Sequence, residues 1–205
     1  VTGAKVGDTV AGGIGGGDVD NTENGVFTEL LNVDEHMLFK FPQKLESASS
    51  SSVDLSKPSV PSTFEQAASL GIAIDTTALA YDEHKPKGGE WALVYGLTSS
   101  VGFIAAQYAR NLGYKVIAVS AELKGVSDAL SGVHWFDRKD PEWVSKAEKW
   151  LAGAKVKHTL DTISTPEEIP ALFKLTDPKG TVQFLDPGFQ IPEAVSYTHL
   201  RAHET

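Results

Sequence analysis

The chain has 205 residues, with 27 acidic against 18 basic side chains, a net charge of -9 and no cysteine. That balance argues against a nucleic-acid partner, because phosphate backbones are held by clustered Lys and Arg and none cluster here; the missing thiols exclude disulfides and thiolate metal sites and are compatible with the cytosol. No apolar run approaches the roughly 20 residues of a membrane span, so the sequence reads as a soluble, cytoplasmic protein with no membrane partner, long enough to bury about 70% of its unfolded surface.

In chain order, VTGAKVGDTVAGG at the start alternates as a strand does but has no upstream partner, and residue 1 is not methionine. The reading is a natural chain cut short at its N-terminus. From Gly25 to Phe41, β-favouring residues alternate around a charged turn at Asp34 and Glu35, which predicts two short strands of an antiparallel unit. The segment ESASSSSVDLSKPSVP, 46–61, is too rich in Ser and Pro to pack and reads as a linker or exposed insertion. Ser62 with Glu65 three residues on has the spacing of a capping box. It predicts a helix that stops near Gly71 and a second helical stretch to Tyr81, with a domain boundary before it.

From Trp91 the rhythm becomes strand, helix, strand. WALVY, KVIAV, VHWF, VKHTL and TVQFL are the five strand candidates. Between them lie the helix candidates VGFIAAQYARNLG, GVSDALSG, PEWVSKAEKWLAG and PEEIPALFKL. Short apolar runs alternating with amphipathic helices predict an α/β domain, 62–193, built on a parallel sheet covered on both faces. Val101, Ile104, Ala105, Tyr108 and Leu112 share one face at helical spacing, and Gly113 supplies the stop. The last residues, 194–205, break this alternation; SYTHLRAHET resembles a translated sequencing adapter, so the expectation is a non-native tail after Glu193.

The stretch VYGLTSSVG, Val94 to Gly102, carries the chemistry. A dinucleotide fold sets its pyrophosphate against the loop after the first strand, where backbone amides and a helix N-terminus supply donors. Gly96 and Gly102 stand six apart, one more than the outer glycines of GxGxxG. Thr98, Ser99 and Ser100 can donate hydroxyls to phosphate or cap the helix, and their residue types leave both readings open. The strand before, the helix after and a second strand ending at Ser120 favour the dinucleotide. Where NAD-specific folds place an acid at that strand end, this chain has serine, with Lys124 and Arg138 beyond it. Those cations favour NADP(H), while Glu122, between Ser120 and Lys124, is a neighbour of the wrong sign.

The pieces VGDTVAG, GVFTELLNVDEHMLFKFP, FEQAASLGIAIDTTALA, VYGLTSSVGFIAAQYARNLGYKVIAVS, VHWFDRKDP and TLDTIS, taken together, resemble the medium-chain dehydrogenase/reductases. The branch they are most similar to is the zinc-independent one of enoyl and quinone reductases, including the fungal trans-acting enoyl reductases of polyketide synthesis. The resemblance implies that residues 1–61 are the last part of a GroES-like β domain, followed by a Rossmann-type domain with five of its usual six strands. It implies NADPH-dependent hydride transfer to an activated double bond of an enoyl or enone substrate, or to a quinone, with a polyketide synthase as a partner. A non-catalytic nucleotide-binding protein of the same fold is the rival reading.

By position, the resemblance puts Thr98, Ser99, Ser100 and Val101, between Gly96 and Gly102, on the pyrophosphate. It puts Ser120, Ala121, Glu122, Leu123 and Lys124 around the adenosine 2'-phosphate, and Leu185 and Asp186 by the nicotinamide. Arg138 stands where the family usually has tyrosine, and a guanidinium can both stack and bind phosphate. The position that gives zinc-dependent relatives a ligand is matched by Ala73, so no metal is expected. His36, His84, His134 and His158 read as surface or satisfied polar residues; Asp161, at a strand end, could be catalytic or a turn former, and the turn is the favoured reading. Substrate-polarising groups would precede Val1, so the chain by itself is expected to be inactive.

Overall fold

The computed structural model describes residues 3–14, 25–41, 45, 63–82, 85–121 and 130–185. The chain divides between Asp75 and Thr76 into two compact units. The Ser- and Pro-rich stretch 46–61, the helix proposed around 125–129 and the tail 194–205 lie outside the described residues, as do His84, Glu122, Leu123, Lys124 and Asp186.

In the first unit, β1 (Val10–Gly12) pairs antiparallel with β2 (Leu38–Lys40), Ala11 opposite Phe39. This corrects the expectation of two strands between Gly25 and Phe41, for that stretch contains only β2. The cause is local. The Asp34 carboxylate accepts the His36 N–H at 2.9 Å and the Asp34 carbonyl accepts the Met37 N–H at 3.0 Å, winding the segment into a 3-10 turn over Glu35–Met37. A side chain that bonds its own backbone competes with the sheet ladder, so β2 finds its partner far back in sequence. Phe41, Leu45 and Ala67 form a small core with Ala11 and Phe39 packed on it.

Helix α1 (Phe64–Ala68) is closed by a capping box one residue later than expected. Thr63 Oγ1 accepts the Gln66 N–H at 3.2 Å, and Gln66 Oε1 accepts the Thr63 N–H at 3.3 Å. The sequence satisfies the box pattern in both frames, Ser62 with Glu65 and Thr63 with Gln66; the frame used is the one that turns Ala67 into the core. Helix α2 (Gly71–Tyr81) then runs to Tyr81, as expected.

The second unit is a five-stranded, wholly parallel sheet. Its strands are β3 (Trp91–Tyr95), β4 (Lys115–Ser120), β5 (Val133–Asp137), β6 (Val156–Asp161) and β7 (Thr176–Phe184), in the spatial order β5-β4-β3-β6-β7. The strand order therefore reverses at the β3–β6 pair. In open α/β sheets the crevice at such a reversal, outside the carboxyl ends of the strands, is where ligands bind.

Alternation within the central strands explains their burial on both faces. Ala92 and Val94 of β3 and Val116 and Ala118 of β4 face one core with Ala80, Tyr81 and helix α3 (Ser100–Leu112). Leu93, Tyr95, Ile117 and Val119 face the other, under α4 (Trp143–Leu151) and α5 (Ile169–Leu175). Helix α4 inserts Trp143, Ala147 and Leu151 at four-residue spacing, and α5 inserts Leu172 and Leu175. Strand β7 begins with Thr176 opposite Val156, leaves the ladder over Asp177 to Gly180, and returns with Thr181 opposite His158. It therefore starts earlier than the run TVQFL predicts.

The buried face of α3 overlaps the expected one in part, with Ala105 buried and Val101 and Leu112 packed against the same core. Gly102, Ala105, Ala106 and Ala109 are buried, whereas Val101, Ile104 and Leu112 are half-buried and Tyr108 is exposed. Small residues on the helix meet Ala92 and Ala118 on the sheet, which lets the two backbones approach closely. That proximity is what allows β3 and α3 to be joined by only Gly96, Leu97, Thr98 and Ser99. The helix ends as expected, with Gly113 left-handed at φ 101° and its N–H on the Ala109 and Arg110 carbonyls.

Candidate functional site

The connection from β3 to α3 lies at the carboxyl edge of the sheet, beside the reversal. Gly96 adopts φ +87°, and a side chain there would run into Thr162 and, at 2.7 Å, into Ile163. A methyl group on Gly102 would overlap the Gly96 carbonyl oxygen. The two glycines are thus required by one close approach: Gly96 turns the chain, and its carbonyl lies under the first turn of the helix at Gly102. The Gly96 and Leu97 N–H groups donate to the Val119 carbonyl at 2.9 and 3.1 Å, and Ser99 N–H donates to the Gly96 carbonyl at 2.9 Å. This ties the loop to β4 and to itself.

Ser99 is the N-cap: its Oγ accepts the Gly102 N–H at 2.9 Å, and its carbonyl accepts the Phe103 N–H at 2.9 Å. That leaves the Ser100 and Val101 amides at the open end of the helix, where the backbone dipoles sum to partial positive charge. No acid stands in the first turn of α3. Thr98 and Ser100 are exposed beside this end and Val101 is half-buried. The arrangement suits an anionic group such as a pyrophosphate.

Ser120, at the end of β4, is 2% exposed, and its hydroxyl lies 2.9 Å from Thr98 Oγ1. Its carbonyl accepts the Arg138 N–H at 3.0 Å, so the chain leaving β5 is pinned to the end of β4 while the Arg138 side chain is exposed. Ala121 is half-buried just beyond the strand. Leu185, after β7, is half-buried against the α3-side core. Gly96, Thr98, Ser99, Ser100, Val101, Gly102, Ser120, Ala121, Arg138 and Leu185 are therefore all at the carboxyl edge of one sheet.

The turn after β6 contains what the sequence reading missed. Thr162 Oγ1 donates to the Tyr95 carbonyl at 2.9 Å, lies 3.2 Å from the Gly96 carbonyl and 2.9 Å from Ser99 Oγ. Its N–H also donates to the Tyr95 carbonyl, at 3.0 Å. The signal was present only as a hydroxyl residue directly after a strand end in TLDTIS.

Asp161 is a turn former, as expected. Its Oδ1 accepts the Ile163 and Ser164 N–H groups at 2.9 and 3.0 Å. The carboxyl is wholly buried, which pushes its pKa up; the two amides oppose that shift and the nearby Glu168 charge adds to it. Burial likewise raises the Tyr95 hydroxyl. The described histidines are surface or packed groups. His36 pairs with Asp34, His134 stacks on Trp150 with centroids 3.5 Å apart, and His158 is buried 4.3 Å from the Tyr81 ring. Among the described residues no three His, Cys, Asp or Glu side chains gather as a metal site, and Ala73 is buried in α2.

The sheet order, the helices on both faces and the glycine turn at the reversal define a Rossmann-like α/β protein. No family model matches the chain. It is similar to the quinone oxidoreductase of Pongo abelii, 29% identical over 135 residues that cover 64% of this chain and 36% of that protein. It is also similar to the trans-enoyl reductase pvhC of Talaromyces variabilis, 28% identical over 188 residues, 87% of this chain and 48% of that protein. The chain thus spans less than half the length of either relative.

Among solved structures, a quinone oxidoreductase of Pseudomonas syringae pv. Tomato DC3000 superposes with a TM-score of 0.67 at 23% identity, over 94% of this chain and 53% of the other. The Escherichia coli quinone oxidoreductase complexed with NADPH gives 0.55 at 21% identity, over 65% of this chain and 42% of the other. At these identities the structural likeness shows the fold. The homologues include quinone oxidoreductases and fungal trans-enoyl reductases, in keeping with the medium-chain dehydrogenase/reductase superfamily that the motifs resemble.

Proposed function

We propose that the chain carries the NADP(H)-binding part of a zinc-independent medium-chain reductase. The observation that carries this reading is the open N-terminus of α3, presented by a glycine turn at the sheet reversal, in a chain whose homologues are oxidoreductases. The Ser100 and Val101 amides and the Thr98 hydroxyl receive the pyrophosphate. Ser120, Ala121, Glu122, Leu123 and Lys124 surround the adenosine ribose, where Lys124 and Arg138 neutralise a 2'-phosphate. Leu185 and Asp186 lie by the nicotinamide. The bound cofactor supplies the hydride; the protein's part is to orient it and keep water away.

The acceptor in this reading is a small enoyl or enone compound, with a polyketide synthase as the source of enoyl substrate. Comparable identity to a quinone oxidoreductase keeps quinone reduction as the second reading. Residues 1–61 belong, in this proposal, to the substrate-facing β domain. Titration of the 205-residue chain with NADPH and NADH, followed by tryptophan fluorescence, tests the cofactor assignment. NADPH is expected to bind about tenfold or more tightly than NADH, and Lys124→Ala or Arg138→Ala to remove about tenfold from NADPH alone. Equal binding of the two nucleotides would overturn the 2'-phosphate assignment. Assays of the full-length protein on enone, enoyl-thioester and quinone acceptors, with and without chelator, decide substrate class and metal independence.

A further inference from the structure

Hydroxyl protons can be counted at the loop. Thr162 has one, and its Oγ1 lies 2.9 and 3.2 Å from the Tyr95 and Gly96 carbonyls, which can only accept. Were that proton aimed elsewhere, an oxygen lone pair would face two carbonyl oxygens at hydrogen-bond distance. The Thr162 proton therefore goes to the backbone. The 2.9 Å contact between Ser99 Oγ and Thr162 Oγ1 must then be donated by Ser99. Ser99 Oγ meanwhile accepts the Gly102 N–H. Its single proton is spent inward, and none is left for a phosphate oxygen.

We propose that Thr162 is the positioning residue of the phosphate-binding loop. Reaching across the sheet reversal from β6, it orients Ser99 as a pure helix cap and fixes the open end of α3. Ser100, which is exposed, is left as a hydroxyl donor to the ligand, and Thr98 joins it when Ser120 donates their 2.9 Å contact. This narrows the role of Ser99, which the motif alone allows on the pyrophosphate. The packing agrees with the hydrogen bonds, since Thr162 and Ile163 occupy the space that a side chain at Gly96 would need. A hydroxyl is required rather than bulk alone, because valine would fill the same volume and leave Ser99 without its acceptor.

The ligand half of the inference rests on the dinucleotide reading; the clamp itself does not, so two readouts are used on the 205-residue chain. The first is amide hydrogen exchange over residues 96–102 without ligand. Thr162→Val is expected to speed exchange at Gly102 about tenfold, with Thr162→Ser restoring it to within about twofold of the parent. The second is NADPH affinity, expected to fall about tenfold in Thr162→Val and to recover in Thr162→Ser. If Thr162 acts through Ser99, Ser99→Ala combined with Thr162→Val weakens binding no more than the stronger single variant. Unchanged exchange in Thr162→Val, failure of serine to rescue, or additive losses in the double variant would overturn the inference. Absence of NADPH binding by the parent chain would overturn the functional reading, while the exchange result still decides the clamp.

Discussion

Strands β3 and β6 end side by side, Tyr95 paired with Asp161, yet the turns that follow them are built by opposite means. After β3 the chain bends at a residue with no side chain, Gly96 at φ +87°. After β6 it bends around a side chain, the Asp161 carboxylate holding the Ile163 and Ser164 amides, with Ser164 at φ +58°. The first turn opens a helix whose leading amides point outward; the second spends its donors inward and leads to the Pro166–Glu168 3-10 turn and α5. A turn that must offer backbone to a ligand is kept bare, and one that must brace it is knotted by its own polar groups.

The largest effect expected from breaking this contrast comes from Gly96→Ala. The substitution combines a left-handed backbone with overlap against Thr162 and Ile163. Strain of about 1 to 2 kcal/mol for the dihedral and about 1 to 3 kcal/mol for overpacking give a loss of about 3 kcal/mol. Urea unfolding followed by tryptophan fluorescence measures it. A shift under about 1 kcal/mol would mean that the loop can relax and that the turn need not be bare.

A smaller and pH-dependent effect is expected at Asp161. Its folded pKa lies above the ordinary 3.8, so the folded state holds the proton more tightly than the unfolded chain does. Its contribution is therefore most favourable below the unfolded pKa and is lost as pH rises through the folded one. Asp8, Asp34, Asp140 and Asp177 are shifted down by lysine partners or by hydrogen bonds and slope the other way. The informative quantity is the difference between parent and Asp161→Asn, which keeps an oxygen for the two amides. That difference should move in favour of Asp161→Asn as pH rises from about 4, in parallel unfolding series. A difference independent of pH would show that burial does not govern this carboxyl.

How much of this the sequence discloses depends on whether the cause is local. Strands β3 and β4 are legible because burial on both faces needs nearly unbroken apolar runs, and Gly113 is legible because a left-handed helix end favours one residue type. The face of α3 is misread in part because apolar periodicity ranks Val101, Ile104 and Tyr108 above alanine, whereas close approach to Ala92 and Ala118 selects for small size. The segment before β2 is misread because alternation says nothing of Asp34 capturing the His36 amide. In the candidate site the two glycines and the hydroxyl run stand out as a motif. Thr162 does not, since its neighbours at Tyr95, Gly96 and Ser99 are created by a strand pairing more than 60 residues long in sequence. No local pattern encodes that.

The smallest effect is expected at Ser164, and its sign separates the two turns most sharply. Serine at φ +58° carries a left-handed cost of about 1 to 2 kcal/mol that glycine would relieve. Glycine also gives the unfolded chain more freedom, which offsets about 0.4 to 1 kcal/mol of the gain. The remainder is a stabilisation of about 0.5 kcal/mol for Ser164→Gly, at the same kind of backbone position where Gly96→Ala is expected to cost several times as much. The difference lies in what surrounds each residue: Thr162 and Ile163 crowd Gly96, whereas the Ser164 conformation is held from behind by Asp161 through the amide and asks nothing of the side chain. A loss above about 1 kcal/mol in Ser164→Gly, measured in the same urea series, would mean that the brace depends on the serine side chain as well as on the carboxylate.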